Sequence, residues 1–296
     1  MPSSSYVGRF APSPSGPLHF GSLVCALASF LDARFHGGTW LVRIEDIDPP
    51  REDPKYIGTI LNQLECHGLN WDENVINQSE RLANYQLALD YLTEQKLIFA
   101  CACTRKRLRQ TGRVYDGRCR KRQVSLSNSA LRLRVAPDHI SGRVTILDRI
   151  YGEYSQHLAQ DTGDFVLKRR DGLFSYQLAS VIDDQFQGIT HIVRGADLLE
   201  SSPRQMYLQN CLGFNSVQYA HVPLVKNKCG QKLSKQNQAE PVSVDKASAN
   251  LWSALSWLNQ KPPRSIHGAP VSEILAWARS NWQFQNISKK VKNTGT

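Results

Sequence analysis

Tyr6–Phe10 reads as a short strand. It is followed at Ala11–Pro17 by three prolines and a glycine, a rigid loop that neither helix nor strand could absorb. From Leu18 to Phe35 apolar residues recur at helical spacing, with Leu23, Leu27, Phe30 and Leu31 on one face and Gly37-Gly38 as the stop. Thr39–Ile44 is a second strand, and Glu45, Asp46 and Asp48 lie just beyond its end. Strand, helix and strand in this order predict a right-handed parallel unit. Amphipathic helices are then expected over Lys55–His67, closed by Gly68, and over Glu80–Gln95, with Leu82, Tyr85, Leu89 and Leu92 on one face.

Between Cys101 and about Gly163 the periodicity weakens, which predicts an insertion. Alternation returns at Asp164–Lys168, with a turn at Arg170-Asp171-Gly172. A strand is expected at Thr190–Val193, before a helix near Ser202–Cys211, and Tyr219–Val225 then leads to the next loop. Lys226–Lys235 is a polar loop carrying Gly230. Helices at Lys246–Leu258 and Val271–Trp282 follow, separated by Pro262-Pro263, and Ser288–Thr296 is a basic tail. The pattern predicts an α/β fold with a Rossmann-type parallel-sheet core interrupted once. The core's first half spans 1–99, the insertion 100–163, the second half 164–236, and a short helical C-terminal region 237–296. No internal repeat or low-complexity tract is present.

With 296 residues, 41% hydrophobic and 21% charged, general disorder is excluded. No stretch approaches the roughly 18 uninterrupted apolar residues that span a bilayer, and Met1–Val7 lacks a signal-like start, so a cytoplasmic protein with no membrane partner is expected. Charge sharpens the picture. The net +10 divides into −5 for residues 1–100 and +15 for the remainder, and Thr104–Arg122 holds nine basic residues against Asp116 alone. Such a cluster suits a polyanion such as RNA, although a solvated face also explains it.

Three places carry chemistry. In Gly8–Leu23 (GRFAPSPSGPLHFGSL) a Pro/Gly loop and a helix start follow the first strand, an arrangement that turns backbone N–H groups toward a nucleotide phosphate. His19 could donate to that phosphate and Gly21 lets a flat base approach. In Gln231–Lys235 (QKLSK), Lys232 and Lys235 can hold charge on phosphate oxygens, though a solvated loop explains most such strings. The third is Cys101, Cys103 and Cys119. Seven cysteines in all, an odd number, argue against a disulfide framework, and Cys-x-Cys is too close for ordinary pairing, so these three thiols suit a tetrahedral zinc site. On chemistry alone the fourth ligand stays open, His139 and His157 being more conventional than Tyr115.

RFAPSPSGPLHFGS with RIEDIDPPR (Arg43–Arg51) and the late KLSK resembles the class I aminoacyl-tRNA synthetases, and more narrowly the glutamyl-tRNA synthetase group, over about Tyr6–Gln236. Phe20, Ser22 and Gln236 depart from the usual signatures. The resemblance implies formation of glutamyl-adenylate from L-glutamate and ATP with Mg²⁺, with His19, Lys232 and Lys235 as catalytic residues and His19, Gly21 and Lys235 binding ATP. It places glutamate on Arg9, Phe10, Ala11, Pro12, Ser13, Glu45, Tyr176 and Arg194, an assignment the chemistry supports: arginine suits the carboxylate, and Glu45, at a strand end, the ammonium group. It favours Tyr115 as fourth ligand of one structural Zn²⁺ per chain with Cys101, Cys103 and Cys119.

About sixty residues follow the lysine loop, too few for a full anticodon-binding domain. The chain therefore resembles a truncated bacterial paralogue of the group that transfers glutamate to the cyclopentene-diol of queuosine at the wobble position of tRNA(Asp), acting as a monomer. Transfer to a non-RNA acceptor, such as a carrier protein or small amine, is the alternative expectation. A non-catalytic RNA-binding relative would be expected to lack His19, Glu45 or Lys235, and all three are present.

Overall fold

The computed structural model describes residues 6–110, 112, 114–135, 143–225 and 240–289. Lys232, Lys235 and His139 lie outside the described residues. The chain opens with β1 (Val7–Phe10), α1 (Phe20–Phe35) and β2 (Thr39–Ile44). β1 and β2 pair in parallel from Val7 opposite Thr39 to Phe10 opposite Val42. Gly38 permits this pairing, because a Cβ there would sit 2.3 Å from the carbonyl oxygen of Tyr6. α2 (Lys55–Cys66), β3 (Ile76–Asn77), α3 (Leu82–Glu94) and β4 (Ile98–Cys101) complete the first hundred residues.

The region expected as one insertion divides in two. After α4 (Arg105–Gln110) comes β5 (Ala130–Leu133), which pairs antiparallel with β4 and with β8 (Phe165–Lys168) in a three-stranded sheet beside the cysteines. The hairpin of β6 (Arg143–Asp148) and β7 (Gly152–His157) instead extends the main sheet, which runs β3-β2-β1-β9-β10-β6-β7 once β9 (His191–Gly195) and β10 (Gln218–Val222) are included. Its edge position explains the weak pattern: Leu147 lies on the open side at 79% exposure while Ile146 is buried. The short helix α5 (Leu158–Asp161) leads from β7 toward β8.

A helix not expected from the sequence, α6 (Tyr176–Phe186), precedes β9, and α7 (Ser202–Leu212) links β9 to β10. Both Asp183 and Asp184 of α6 are buried, which breaks the apolar stripe that would have announced the helix. α8 (Ala247–Trp257) and α9 (Val271–Ser280) pack on α1, which is buried on nearly every side; Leu23, Leu27, Leu251, Leu255, Ile274 and Leu275 share one core with Val42 and Ile44 of β2. The C-terminal helices thus complete the main core. No helix among the described residues is long and apolar enough to cross a membrane.

Candidate active site

Strand order reverses between β1 and β9, which places a crevice at the carboxyl ends of these strands. A cavity of about 450 Å³ opens there, within the range of small-molecule sites. Arg9, Phe10, Ala11, Pro12, Ser13, His19, Gly21, Glu45, Tyr176 and Arg194, scattered over 186 positions, all line it. Strand β1 ends in Arg9 and Phe10. The proline loop after it is tied to the acidic segment after β2, since the backbone N–H of Glu45 donates to the carbonyl of Pro12 at 3.0 Å and that of Asp53 to the carbonyl of Pro14 at 2.9 Å. These bonds bring Glu45 against the loop.

His19 is the N-cap of α1, and its Nδ1 accepts from the backbone N–H of Ser22 at 3.2 Å. This bond leaves the ring proton on Nε2. Gly21 is small for a reason the sequence did not show: a Cβ there would lie 3.1 Å from Cε1 of the His19 ring.

The two candidate arginines differ. Arg9 Nε donates to Oδ1 of Asp184 at 3.1 Å, so a buried carboxylate already opposes its charge. Asp184 also takes Arg43 Nη1 at 2.8 Å, and Arg43 Nη2 reaches Oε1 of Glu45 at 3.4 Å. Burial raises the Asp184 carboxyl, but Arg9 and Arg43 outweigh it and hold the group below the usual range. For Glu45 burial wins over the same two arginines, and its carboxyl is pushed up. Among the described residues Arg194 has only neutral hydrogen-bond partners: Tyr176 Oη at 3.0 Å, Ser202 Oγ at 2.8 Å, His221 Nε2 at 3.1 Å and the Leu198 carbonyl at 3.4 Å. No salt bridge ties its charge to a carboxylate among the described residues, which fits it to an anionic ligand at the cavity wall. The roles of Asp184, Arg43, Ser202 and His221 were not anticipated: Arg43 was read only as part of a strand and motif, and the other three are buried in elements remote from the proline loop, where they leave no local signal.

Away from this cavity, the sulfurs of Cys101, Cys103 and Cys119 lie within 4.8 Å of one another. Cys103 and Cys119 are 3.6 Å apart, and the Tyr115 hydroxyl is 3.6 Å from Cys101 and 3.8 Å from Cys103. A tetrahedral zinc with bonds near 2.3 Å sets its ligand atoms roughly 3.8 Å apart, so this donor set fits the metal. His157 ends β7 and is not in the cluster. Of the basic residues in Thr104–Arg122, Arg107 pairs with Asp116 and Arg120 with Asp164, while Arg105, Lys106, Arg109, Arg118, Lys121 and Arg122 are exposed.

Sheet order, crevice and lining together describe a class I aminoacyl-tRNA synthetase catalytic domain, and the family model "tRNA synthetases class I (E and Q), catalytic domain" matches residues 6–257. The chain belongs to this family of ligases, in its glutamyl-Q tRNA(Asp) synthetase branch. It is 51% identical to the glutamyl-Q tRNA(Asp) synthetase of Pseudomonas fluorescens over 97% of this chain and 95% of that one. The enzyme of the same name from Thiobacillus denitrificans is also 51% identical, over 97% and 96%. Among solved structures, a glutamate tRNA ligase from Elizabethkingia meningosepticum in complex with its amino acid shares the fold. Its TM-score is 0.81 at 23% identity, covering 99% of this chain and 67% of that one.

Proposed function

We propose that this enzyme activates L-glutamate with ATP without requiring tRNA, and then transfers glutamate to the cyclopentene-diol of queuosine at the wobble position of tRNA(Asp). The observation that carries the proposal is the convergence, in one crevice, of the Arg194–Tyr176 pair, the Glu45 carboxylate and the His19 end of α1. Arg194 and Tyr176 receive the side-chain carboxylate of glutamate, Glu45 its ammonium group, and Arg9 to Ser13 shape the floor. An oxygen of the α-carboxylate attacks the α-phosphorus of ATP and pyrophosphate leaves. A hydroxyl of the diol then attacks the carbonyl carbon, the ester forms, and AMP leaves as its mixed-anhydride bond breaks. No protein nucleophile is needed, because positioning and charge stabilisation suffice. His19 is assigned to a phosphate oxygen, and Lys232 and Lys235 are assigned by sequence to the charge on the departing pyrophosphate. Mg²⁺ bound with ATP would supply further neutralisation of phosphate charge.

Cys101, Cys103, Cys119 and Tyr115 would hold one structural Zn²⁺, bracing the exposed basic residues of 104–122 for RNA. Of the expected boundaries only the one near 99 is kept, since the 143–157 hairpin joins the main sheet and α8 and α9 join the main core; a cytoplasmic location and a monomeric state belong to the same reading.

Labelled glutamate offered with ATP to tRNA(Asp) with and without queuosine tests the transfer. Label is expected only on the queuosine-containing RNA. Equal labelling of both, or labelling of neither while pyrophosphate exchange proceeds, would refute the acceptor.

A further inference from the structure

Behind Arg194, on the side away from the cavity, lies a pair of side chains with no role in the reaction as described. His221 of β10 and Asp148 of β6 are both fully buried, and His221 Nδ1 lies 2.6 Å from Asp148 Oδ2. The other ring nitrogen, Nε2, is 3.1 Å from Arg194 Nε and 3.1 Å from Ser202 Oγ. An arginine Nε can only donate, so Nε2 of His221 must present a lone pair and the single ring proton must sit on Nδ1, pointing at Asp148.

The consequence runs forward to the cavity. Of the five N–H groups of Arg194, Nε–H is taken by His221, the two on Nη2 by Ser202 and Leu198, and one on Nη1 by Tyr176. The remaining Nη1 N–H has no partner among the described residues. Because Tyr176 Oη accepts from Arg194, its own O–H is left to donate. Two donors, one from Arg194 and one from Tyr176, therefore stand beside each other on the cavity wall, in the arrangement a carboxylate accepts.

We propose that Asp148 and His221 are positioning residues for the glutamate subsite: Asp148 fixes His221 as the Nδ1–H tautomer, whose Nε2 lone pair aligns the Arg194 guanidinium with Tyr176. The inference deepens the glutamate-binding reading above and rests on it.

Asp148 has two separable duties, which makes the test specific. Its Oδ1 accepts the backbone N–H groups of Ile150 at 2.9 Å and Tyr151 at 2.8 Å, closing the β6–β7 turn, while Oδ2 serves His221. In Asp148→Asn the amide oxygen keeps the turn and the NH₂ falls opposite His221 Nδ1. The imidazole must then carry its proton on Nε2, which meets the Arg194 Nε–H donor to donor. A residue needed only for the turn would tolerate this change.

The experiment is glutamate-dependent ATP–pyrophosphate exchange by the full-length wild type and Asp148→Asn, with KM measured for glutamate and ATP separately. The variant is expected to raise KM for glutamate about tenfold or more and move KM for ATP by less than about threefold, the range for a lost hydrogen bond to a charged group. Equal shifts in both constants, or no shift in either, would overturn the proposal. Nitrogen NMR of histidine-labelled wild type gives a second readout that does not depend on the variant folding. Nδ1 of His221 is expected to be the protonated nitrogen, and protonation on Nε2 would overturn the proposal. A wild type without glutamate-dependent exchange would overturn the functional reading and this inference with it, whereas exchange with an unaltered KM in the variant overturns the inference alone.

Discussion

Glu45 and Arg194 show how burial assigns roles that residue type alone leaves open. Both are charged side chains at the ends of parallel strands, yet one is set against arginines and the other against neutral partners. Burial, opposed by Arg43 and Arg9, lifts the Glu45 carboxyl above its ordinary value. Only the ionised form attracts an ammonium group. Falling pH protonates it and removes that attraction, so KM for glutamate should climb as pH drops, starting above the value of about 4.3 typical of an unperturbed glutamate. KM for ATP should stay level over the same range. Glu45→Gln should show a high, pH-independent KM for glutamate, and a wild-type profile flat down to pH of about 4.5 would contradict the assigned role. At this scale the sequence named ten of the cavity's lining residues: eight lie in or beside the proline loop, at the start of α1 and at the acidic strand end, which are local patterns, and Tyr176 and Arg194 came from the family resemblance. It could not name Asp184 or His221: one of two adjacent acids in an unrecognised helix and a lone histidine in a strand look like surface and core until their partners are known.

At the scale of elements, β1, α1 and β2 were legible to within two residues at either end because each has a clean period and a strong stop. Of the three-stranded sheet only β8 was legible, as the alternation at Asp164–Lys168. The sheet's strands are four residues each, β5 carries Arg132 with Arg134 just past its end, and partner strands come from both sides of the cysteine segment. The cysteine cluster supplies what this small sheet lacks in apolar area, since Phe99, Cys101, Tyr115 and Cys119 form their own buried group. Cys103→Ser should therefore lose zinc, expected at one per chain by elemental analysis of the wild type, and open the 101–122 segment to protease. Activation of glutamate should survive better than transfer to RNA, because the activation cavity is built from other elements. A wild type that binds no metal yet resists protease equally well would remove zinc from this account. Charge points the same way, since the exposed arginines and lysines of 104–122 need a rigid base to face a polyanion together.

For the whole molecule, the surprise lies in the C-terminal helices. The sequence presents them as a short appendage after the lysine loop, whereas α8 and α9 cover the outer side of α1 and join the core beneath the crevice. Trp282 reaches far enough to set its indole Nε1 3.4 Å from Asp32 Oδ1 of α1, and Gln63 of α2 bonds the carbonyl of Val242 at 2.8 Å. Leu255→Ala in this interface should lower unfolding free energy by about 2–5 kcal/mol, read from the urea midpoint, while exchange activity per folded molecule is retained. A change below about 0.5 kcal/mol would mean that α8 does not pack on the core as described.

By itself the sequence determined the parallel α/β core, the Pro/Gly loop that begins α1, the acidic end of β2 and the thiol cluster, because each is written in residues adjacent along the chain. Only the tertiary structure decided which charges oppose one another. Pairing Arg9 with Asp184 and leaving Arg194 among neutral partners depends on β1, α6, β9 and β10 meeting, across separations of 175 residues between Arg9 and Asp184 and 73 between Asp148 and His221. Hydrophobic periodicity records which face of an element is buried. It carries no record of which buried charge from a distant element will lie opposite, and in this protein that opposition sets the chemistry of the site.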